Sequence, residues 1–288
     1  MLFQHLNQPL RQAEWKGLRV WIIGASTGIG AELANQLANL GANLVLTARS
    51  QDTLDAIANR CRQHHADRKI LALPFDVCNQ GDLTAAVDQV LEQWGSIDLV
   101  IFNAGTYTAT RIDSLSAMTA KEALDVNLIA PIAATASILP LLLQKNPEHR
   151  PRGFAFVASV AGYRGLPRAL TYGPGKAGLN SFAESLWVDL NGMGLNTWII
   201  NPGFVRTRLT AQNSFVMPAL IAPDKAASAI IQGFATGKFE IHFPKRFTFF
   251  MKLLQLLPIG WYLRLTKRLV PPLRLETFTK TPTSDKEA

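Results

Sequence analysis

The chain has 288 residues, 48% of them hydrophobic, and a formal net charge of +8. That is enough apolar material for one substantial core. Its two cysteines, Cys61 and Cys78, form no CxxC or ligand-like pairing, so neither a disulfide framework nor a metal site is expected. The charge is local: Lys238 to Arg274 holds eight basic residues against the single acid Glu240, a balance of +7, and the high pI is therefore not read as nucleic-acid binding by the whole chain.

The opening, MLFQHLNQPLRQAEW, lacks the apolar run of a signal peptide. Strand-like runs follow at Arg19–Ile23, Asn43–Thr47, Ile70–Pro74, Asp98–Phe102, Gly153–Ala158, Asn196–Ile200 and Phe239–Phe243. Several are apolar almost without alternation, as strands covered on both faces are. Helical stretches lie between them at Gly28–Leu40, Gln51–His64, Gln80–Trp94, Thr119–Gln144, Gly173–Asn191 and Pro223–Thr236. The apolar run Leu128–Leu143 is interrupted by Pro131 and Pro140 and is too short to span a bilayer, so it is read as a buried helix. Strand and helix in alternation predict an α/β fold, a Rossmann-type doubly wound parallel sheet of about seven strands with helices on both faces. The expected divisions are an N-terminal extension (1–18), a single catalytic domain (19–244), a basic apolar extension (245–276) and a polar, disordered end (277–288). The location expected is cytoplasmic, reaching at most the inner face of a membrane.

The first strand runs into Gly24-Ala-Ser26-Thr27-Gly28-Ile29-Gly30, and a helix follows. Glycines at this junction let the backbone turn tightly and bring a pyrophosphate to the positive end of the helix. The second strand ends Thr47-Ala48-Arg49. An acidic residue here would bind a ribose 2′-hydroxyl and repel a 2′-phosphate. Ala48 followed by Arg49 suits the phosphate instead, the alternative being a solvated surface arginine. NADP(H) is therefore the preferred cofactor, with NAD(H) possible.

With these motifs the chain resembles the short-chain dehydrogenase/reductase family from about Arg19 to Phe243. Asp76-Val77 matches the family's adenine-contacting pair, Asn103-Ala104-Gly105 the motif ending its fourth strand, and Asn127 its helix asparagine. Ser159, Tyr172 and Lys176 match its serine and YxxxK, and Pro202-Gly203-Phe204-Val205-Arg206-Thr207 its PGxVxT. The resemblance implies cofactor contacts from Gly24, Ser26, Thr27, Gly28, Ile29, Gly30, Arg49, Asp76, Val77, Asn103, Ala104, Gly105, Tyr172, Lys176, Pro202, Gly203, Val205 and Thr207. It implies a catalytic set of Ser159, Tyr172, Lys176 and Asn127. Tyr172 and Lys176, four apart, share one helix face. An ammonium beside a phenol, with the positive nicotinamide of the oxidised cofactor, would favour the phenolate and lower a pKa ordinarily near ~10. Tyr172 would then exchange a proton with the substrate oxygen, Ser159 would hydrogen-bond that oxygen, and Asn127 would place a water against Lys176. Two departures stand out: Ile23 replaces a loop-bracing threonine, and the YxxxK interior is Gly-Pro-Gly, which needs Pro174 in the first helical turn.

The expected function is hydride transfer between nicotinamide and a carbonyl or alcohol, the rivals being a non-catalytic NADP-binding sensor or scaffold and an NAD-linked dehydrogenase. Substrate contacts are expected from Ala161–Leu170 and from a lid at Arg208–Ile221 whose Phe215, Val216, Met217 and Leu220 favour a hydrophobic small molecule. The family implies a homodimer or homotetramer. The segment 245–270, apolar with basic flanks and broken at Pro258-Gly260, fits either a peripheral membrane contact or packing on protein.

Overall fold

The computed structural model describes residues 6–64, 68–145, 148–213 and 215–272. Seven strands, β1 (Arg19–Ile23), β2 (Asn43–Ala48), β3 (Ile70–Pro74), β4 (Leu99–Phe102), β5 (Gly153–Val157), β6 (Asn196–Pro202) and β7 (Glu240–Phe243), form one parallel sheet in the order β3-β2-β1-β4-β5-β6-β7. Helices α1 (Gly28–Asn39), α2 (Gln51–His64) and α7 (Pro223–Phe234) lie on one face. Helices α3 (Gln80–Trp94), α5 (Ala130–Leu142) and α6 (Tyr172–Asn191) cover the other.

Successive strand residues feed opposite cores because side chains alternate across a sheet. Val20, Ile22, Leu44 and Leu46 join Leu37 of α1 and Phe234 of α7 on one side. Trp21, Ile23, Val45 and Phe156 join Val90 of α3 and Leu179 of α6 on the other. The chain before β1 is also packed: Leu10, Trp15 and Leu18 are buried in the first core, and buried Asn7 donates to Thr197 O at 2.7 Å. At the amino edge of the sheet, Arg19 grips the fully buried Asp98 through both carboxylate oxygens, at 2.9 and 2.8 Å.

Helix α4 (Ala117–Leu124) runs through a π-helical turn, Asp125–Ile129, into α5. The combined Ala117–Leu142 is long and apolar enough to cross a membrane. One flank of it, however, is core: Ala134, Ile138 and Leu141 are buried in the second cluster. The other flank exposes Ile129 and Ile132. The expectation of a buried helix thus holds for one side only. The C-terminal segment forms α8 (Lys245–Leu256) and α9 (Ile259–Lys267), separated at Leu257-Pro258. The polar end at 277–288 and the last residues of the basic extension lie outside the described residues.

The strand order reverses direction between β1 and β4. In open α/β sheets a ligand crevice opens at that switch, outside the carboxyl ends of the strands. The turns carrying Gly24, Arg49, Asp76, Asn103, Ser159 and Gly203 all follow carboxyl strand ends.

Candidate active site

The glycine turn is built by close approach. Gly24 has φ +91°, and an added Cβ would stand 2.5 Å from Ala104 N; at Gly30 it would stand 2.0 Å from Gly24 O. Neither position tolerates a side chain. Ile23 supplies no side-chain brace, but the loop is held otherwise: Gly24 and Ala25 donate to Thr47 O at 2.7 and 2.9 Å, and Asn103 Nδ2 donates to Gly24 O at 2.7 Å. Asn103 is thus a structural staple across the switch. Thr27 caps α1 without a side-chain hydrogen bond, and no acid occupies the first turn, so the leading amides at Gly28, Ile29 and Gly30 are left for an anion. Gly28, at φ +58°, faces Thr207, whose Cγ2 would lie 2.9 Å from an added Cβ. A tight glycine turn ahead of a helix with unpaired leading amides is a setting in which a phosphate can be held.

Arg49 is exposed just past β2 and takes part in no hydrogen bond or ion pair among the described residues. Asp76 follows β3 and accepts from Cys78 N at 3.0 Å, and Val77 packs against the second core. In the PGxVxT segment Pro202 completes β6 opposite Phe243, two residues past the expected strand end. Val205 bridges to Ile221, and Gly203 lies under the Phe247 ring. Ser26 is partly buried in the glycine turn.

The candidate catalytic residues come from the end of β5, from α6 and from the π turn. Ser159 is buried at the end of β5, its N–H donating to Asn201 Oδ1 at 3.2 Å and its Oγ accepting from Ala161 N at 3.1 Å. Tyr172 opens α6, which puts Pro174 in the first turn, where a missing N–H costs nothing. The flanking glycines have a packing role: a Cβ on Gly175 would stand 3.1 Å from Asn127 Cβ. Lys176 is buried, donates to Val157 O at 2.9 Å, and lies 5.7 Å from the Tyr172 ring centre. Asn127, on the π turn, donates to Thr106 O and Ala123 O, both at 2.8 Å, and accepts from Thr106 N at 3.3 Å. A Cβ on Gly105 would stand 3.1 Å from Asn127 Oδ1 and 3.4 Å from Lys176 Nζ. Gly105 therefore leaves open a space bordered by both the amine and the amide.

The expectation joined two cations, the Lys176 ammonium and the positive nicotinamide of the oxidised cofactor; in the protein by itself, burial dominates. Burial pushes Tyr172 up to about 12, against the opposing pull of a hydrogen bond to Ser159. Burial also lowers Lys176 to about 7. Desolvation disfavours both charged forms, and the lysine does not offset it. A positive charge placed beside the phenol would oppose this effect of burial. The amine, for its part, is poised to take or release a proton near neutral pH.

Sequence reasoning missed Tyr107, whose ring meets that of Tyr172 edge-on with centres 5.1 Å apart. It also missed Asn180 and Asn201, which join Ser159 to Lys176: Asn201 Nδ2 donates to Asn180 Oδ1 at 3.0 Å, and Asn180 Nδ2 to Lys176 O at 3.0 Å. Asn201 had one available signal, its position directly before Pro202-Gly203.

The Lys176 environment yields a test whose sign is fixed. Above pH ~7 the unfolded chain keeps a lysine proton that the folded chain has released, so stability rises with pH relative to a variant lacking the amine. Urea unfolding from about pH 7 to about pH 9 should show the wild type gaining on Lys176→Met by about 1.4 kcal/mol per pH unit. Parallel profiles would mean that the buried amine stays charged.

Comparison with known proteins agrees with this geometry. Residues 19–215 match the short chain dehydrogenase family. An uncharacterized oxidoreductase of Myxococcus xanthus is 30% identical over 237 residues, 82% of this chain and 91% of its own. In fold, the chain is similar to a short-chain dehydrogenase/reductase from Burkholderia phymatum solved with NAD, with a TM-score of 0.75 at 22% identity over 91% of this chain and 99% of that one. It is also similar to L-sorbose reductase from Gluconobacter frateurii, solved with NADPH and L-sorbose, with a TM-score of 0.70 at 21% identity over 79% and 95%. The chain belongs to the short-chain dehydrogenase/reductase family and is an oxidoreductase of the kind that works with a nicotinamide dinucleotide.

Proposed function

We propose that this protein is an NADP(H)-dependent reductase or dehydrogenase acting on the carbonyl or alcohol of a hydrophobic, lipid-like compound. The observation that carries the reading is the cluster of buried Ser159, partly buried Tyr172 and buried Lys176, near a glycine turn fit for a pyrophosphate. When bound, the cofactor supplies or accepts the hydride and, oxidised, brings positive charge beside the phenol. Tyr172 protonates the substrate oxygen in reduction and deprotonates it in oxidation, while Ser159 Oγ hydrogen-bonds that oxygen. Lys176 holds the nicotinamide ribose and exchanges protons with a water seated by Asn127.

The apolar preference rests on the lid. Phe215 meets Phe204 with ring centres 5.7 Å apart, and Phe204 meets Phe247 of α8 at 5.6 Å, so an aromatic wall stands beyond Gly203. The NADP preference rests on unpaired Arg49 after Ala48, where a carboxylate would repel a 2′-phosphate. With Arg49→Ala, NADPH affinity should fall about tenfold, the worth of one charged hydrogen bond, while NADH affinity stays within about twofold. Unchanged NADPH affinity by fluorescence titration would remove Arg49 from the site and favour the NAD-linked reading.

The C-terminal pair lends support to both readings of its sequence, one on each face. The inner face packs on protein, with Met251, Tyr262 and Thr266 buried. The outer face leaves Leu256 80%, Trp261 67% and Phe249 62% exposed. Lys245, Arg246, Arg264, Lys267 and Arg268 are exposed around it, and no acid occurs from Ile241 to Leu275. This face is assigned to an anionic lipid surface at the cytoplasmic side of a membrane. The exposed flank of α4–α5, with Val188 of α6, is assigned to a second copy in a homodimer or homotetramer. Protein should co-sediment with phosphatidylserine vesicles, less so at high salt, and Leu256→Asp with Trp261→Asp should abolish this at unchanged Tm. Equal sedimentation of that variant would refute the lipid contact, and a single-chain mass by light scattering would refute the oligomer.

A further inference from the structure

Helix α8 does more than lie against the domain. Its Lys252 ammonium pairs with Glu240 Oε2, at the start of β7. The other carboxylate oxygen of Glu240 accepts from Tyr163 OH and, at 2.9 Å, from Asn201 Nδ2. One carboxylate thus gathers donors from three elements: α8, the loop after β5 and the end of β6. Burial raises the Glu240 pKa, but the hydrogen bonds from Lys252, Tyr163 and Asn201 outweigh it and hold the carboxyl below its ordinary range.

The consequence reaches Ser159 through the amide of Asn201. That side chain is buried, its oxygen accepting from Ser159 N at 3.2 Å and its nitrogen donating to Glu240 and Asn180. An amide can be turned either way, and its partners decide which end faces where. An anionic, acceptor-only carboxylate compels the NH2 end toward Glu240, which leaves the carbonyl end for Ser159. The same loop is clamped again by α8. The Arg164 guanidinium donates to the terminal carbonyls of that helix, Leu254 O at 2.9 Å and Leu257 O at 2.8 Å, and Gln255 Nε2 donates to Tyr163 O at 3.2 Å. A cation on the last carbonyls of a helix is favoured by their orphan acceptors and by the dipole.

We infer that Glu240 is a positioning residue for the proposed reaction, acting through Asn201 and Tyr163 to hold the backbone at Ser159, and that α8 belongs to the scaffold of the site through Lys252. Both Glu240 and Lys252 lie beyond residues 19–215, the part matched to the family, so this brace is contributed by the remainder of the chain. The inference rests on the proposed roles of Ser159 and Tyr172 for its catalytic consequence, and on geometry alone for its mechanical one.

Amide hydrogen exchange on the full-length protein tests the mechanical part. In Glu240→Ala, exchange in the peptide spanning Ser159–Tyr163 should rise about tenfold, while the glycine-loop peptide around Gly24–Ala31 stays within about twofold. Glu240→Gln, which keeps the shape and one acceptor oxygen, should shift in the same direction by less and supplies the test if the alanine variant does not fold; Lys252→Met should follow it. No change at Ser159–Tyr163 in a folded variant, or an equal rise across the chain, would overturn the proposal. With NADPH and decanal as probes, kcat of Glu240→Ala should drop about tenfold with NADPH affinity kept. An unchanged kcat would overturn the catalytic consequence. Should the wild type not reduce decanal, it is the choice of substrate class that fails, and the exchange result alone decides for or against the brace.

Discussion

The working edge of this protein depends on two strand ends touching. Gly24, leaving β1, and Ala104, leaving β4, come so near that a single methylene on Gly24 would overlap the Ala104 backbone. Gly30 presses on the same turn from the first helix, and Asn103 staples it from the far side. Because β1 and β4 flank the point where the sheet order reverses, this contact fixes both halves of the crevice at once. The amides of α1 open toward one half. The segment carrying Gly105 and the π turn opens toward the other.

Around that contact the second half pays a desolvation cost and puts it to use. Lys176 is held away from water between Val157, Asn127 and Gly105, so its proton is weakly held near neutrality. Tyr172 is desolvated as well and resists ionisation. Under the proposed function, a positive charge arriving beside the phenol would oppose its desolvation. The π turn carries Asn127 and aims its amide at the Thr106 backbone.

Much of this was legible in the sequence, where local rules govern. Apolar runs marked the seven strands, glycines marked the tight turn after β1, and a four-residue spacing put Tyr172 and Lys176 in the same helix. What was not legible depends on tertiary neighbours. A π turn adds one residue to a helical turn without disturbing the apolar pattern of Ala117–Leu142. Leu10, Trp15 and Leu18 are too widely spaced to announce that the chain before β1 joins the core. The upward shift of the phenol follows from burial, which the YxxxK spacing does not report. Glu240 carried no signal, since its partners Tyr163, Asn201 and Lys252 come from separate segments and meet only in the fold. The C-terminal pair had to be seen folded before its inner and outer faces could be told apart.

The family match ends at residue 215, and residues past it pack against the loops that carry Ser159 and Gly203. Phe247 stands over Gly203, Arg164 and Tyr262 stack with 4.1 Å between guanidinium and ring centre, and Lys252 reaches the network behind Ser159. The loop after β5 is thereby tied to α8 and α9, while Phe204, Phe215 and Phe247 make a separate aromatic wall. The central claim, that a phenol on this scaffold moves the proton that accompanies hydride transfer, is tested most directly by Tyr172→Phe. NADPH consumption with a hydrophobic aldehyde should fall by about 10²–10⁴-fold while NADPH affinity is retained. Turnover surviving in that variant would contradict the account.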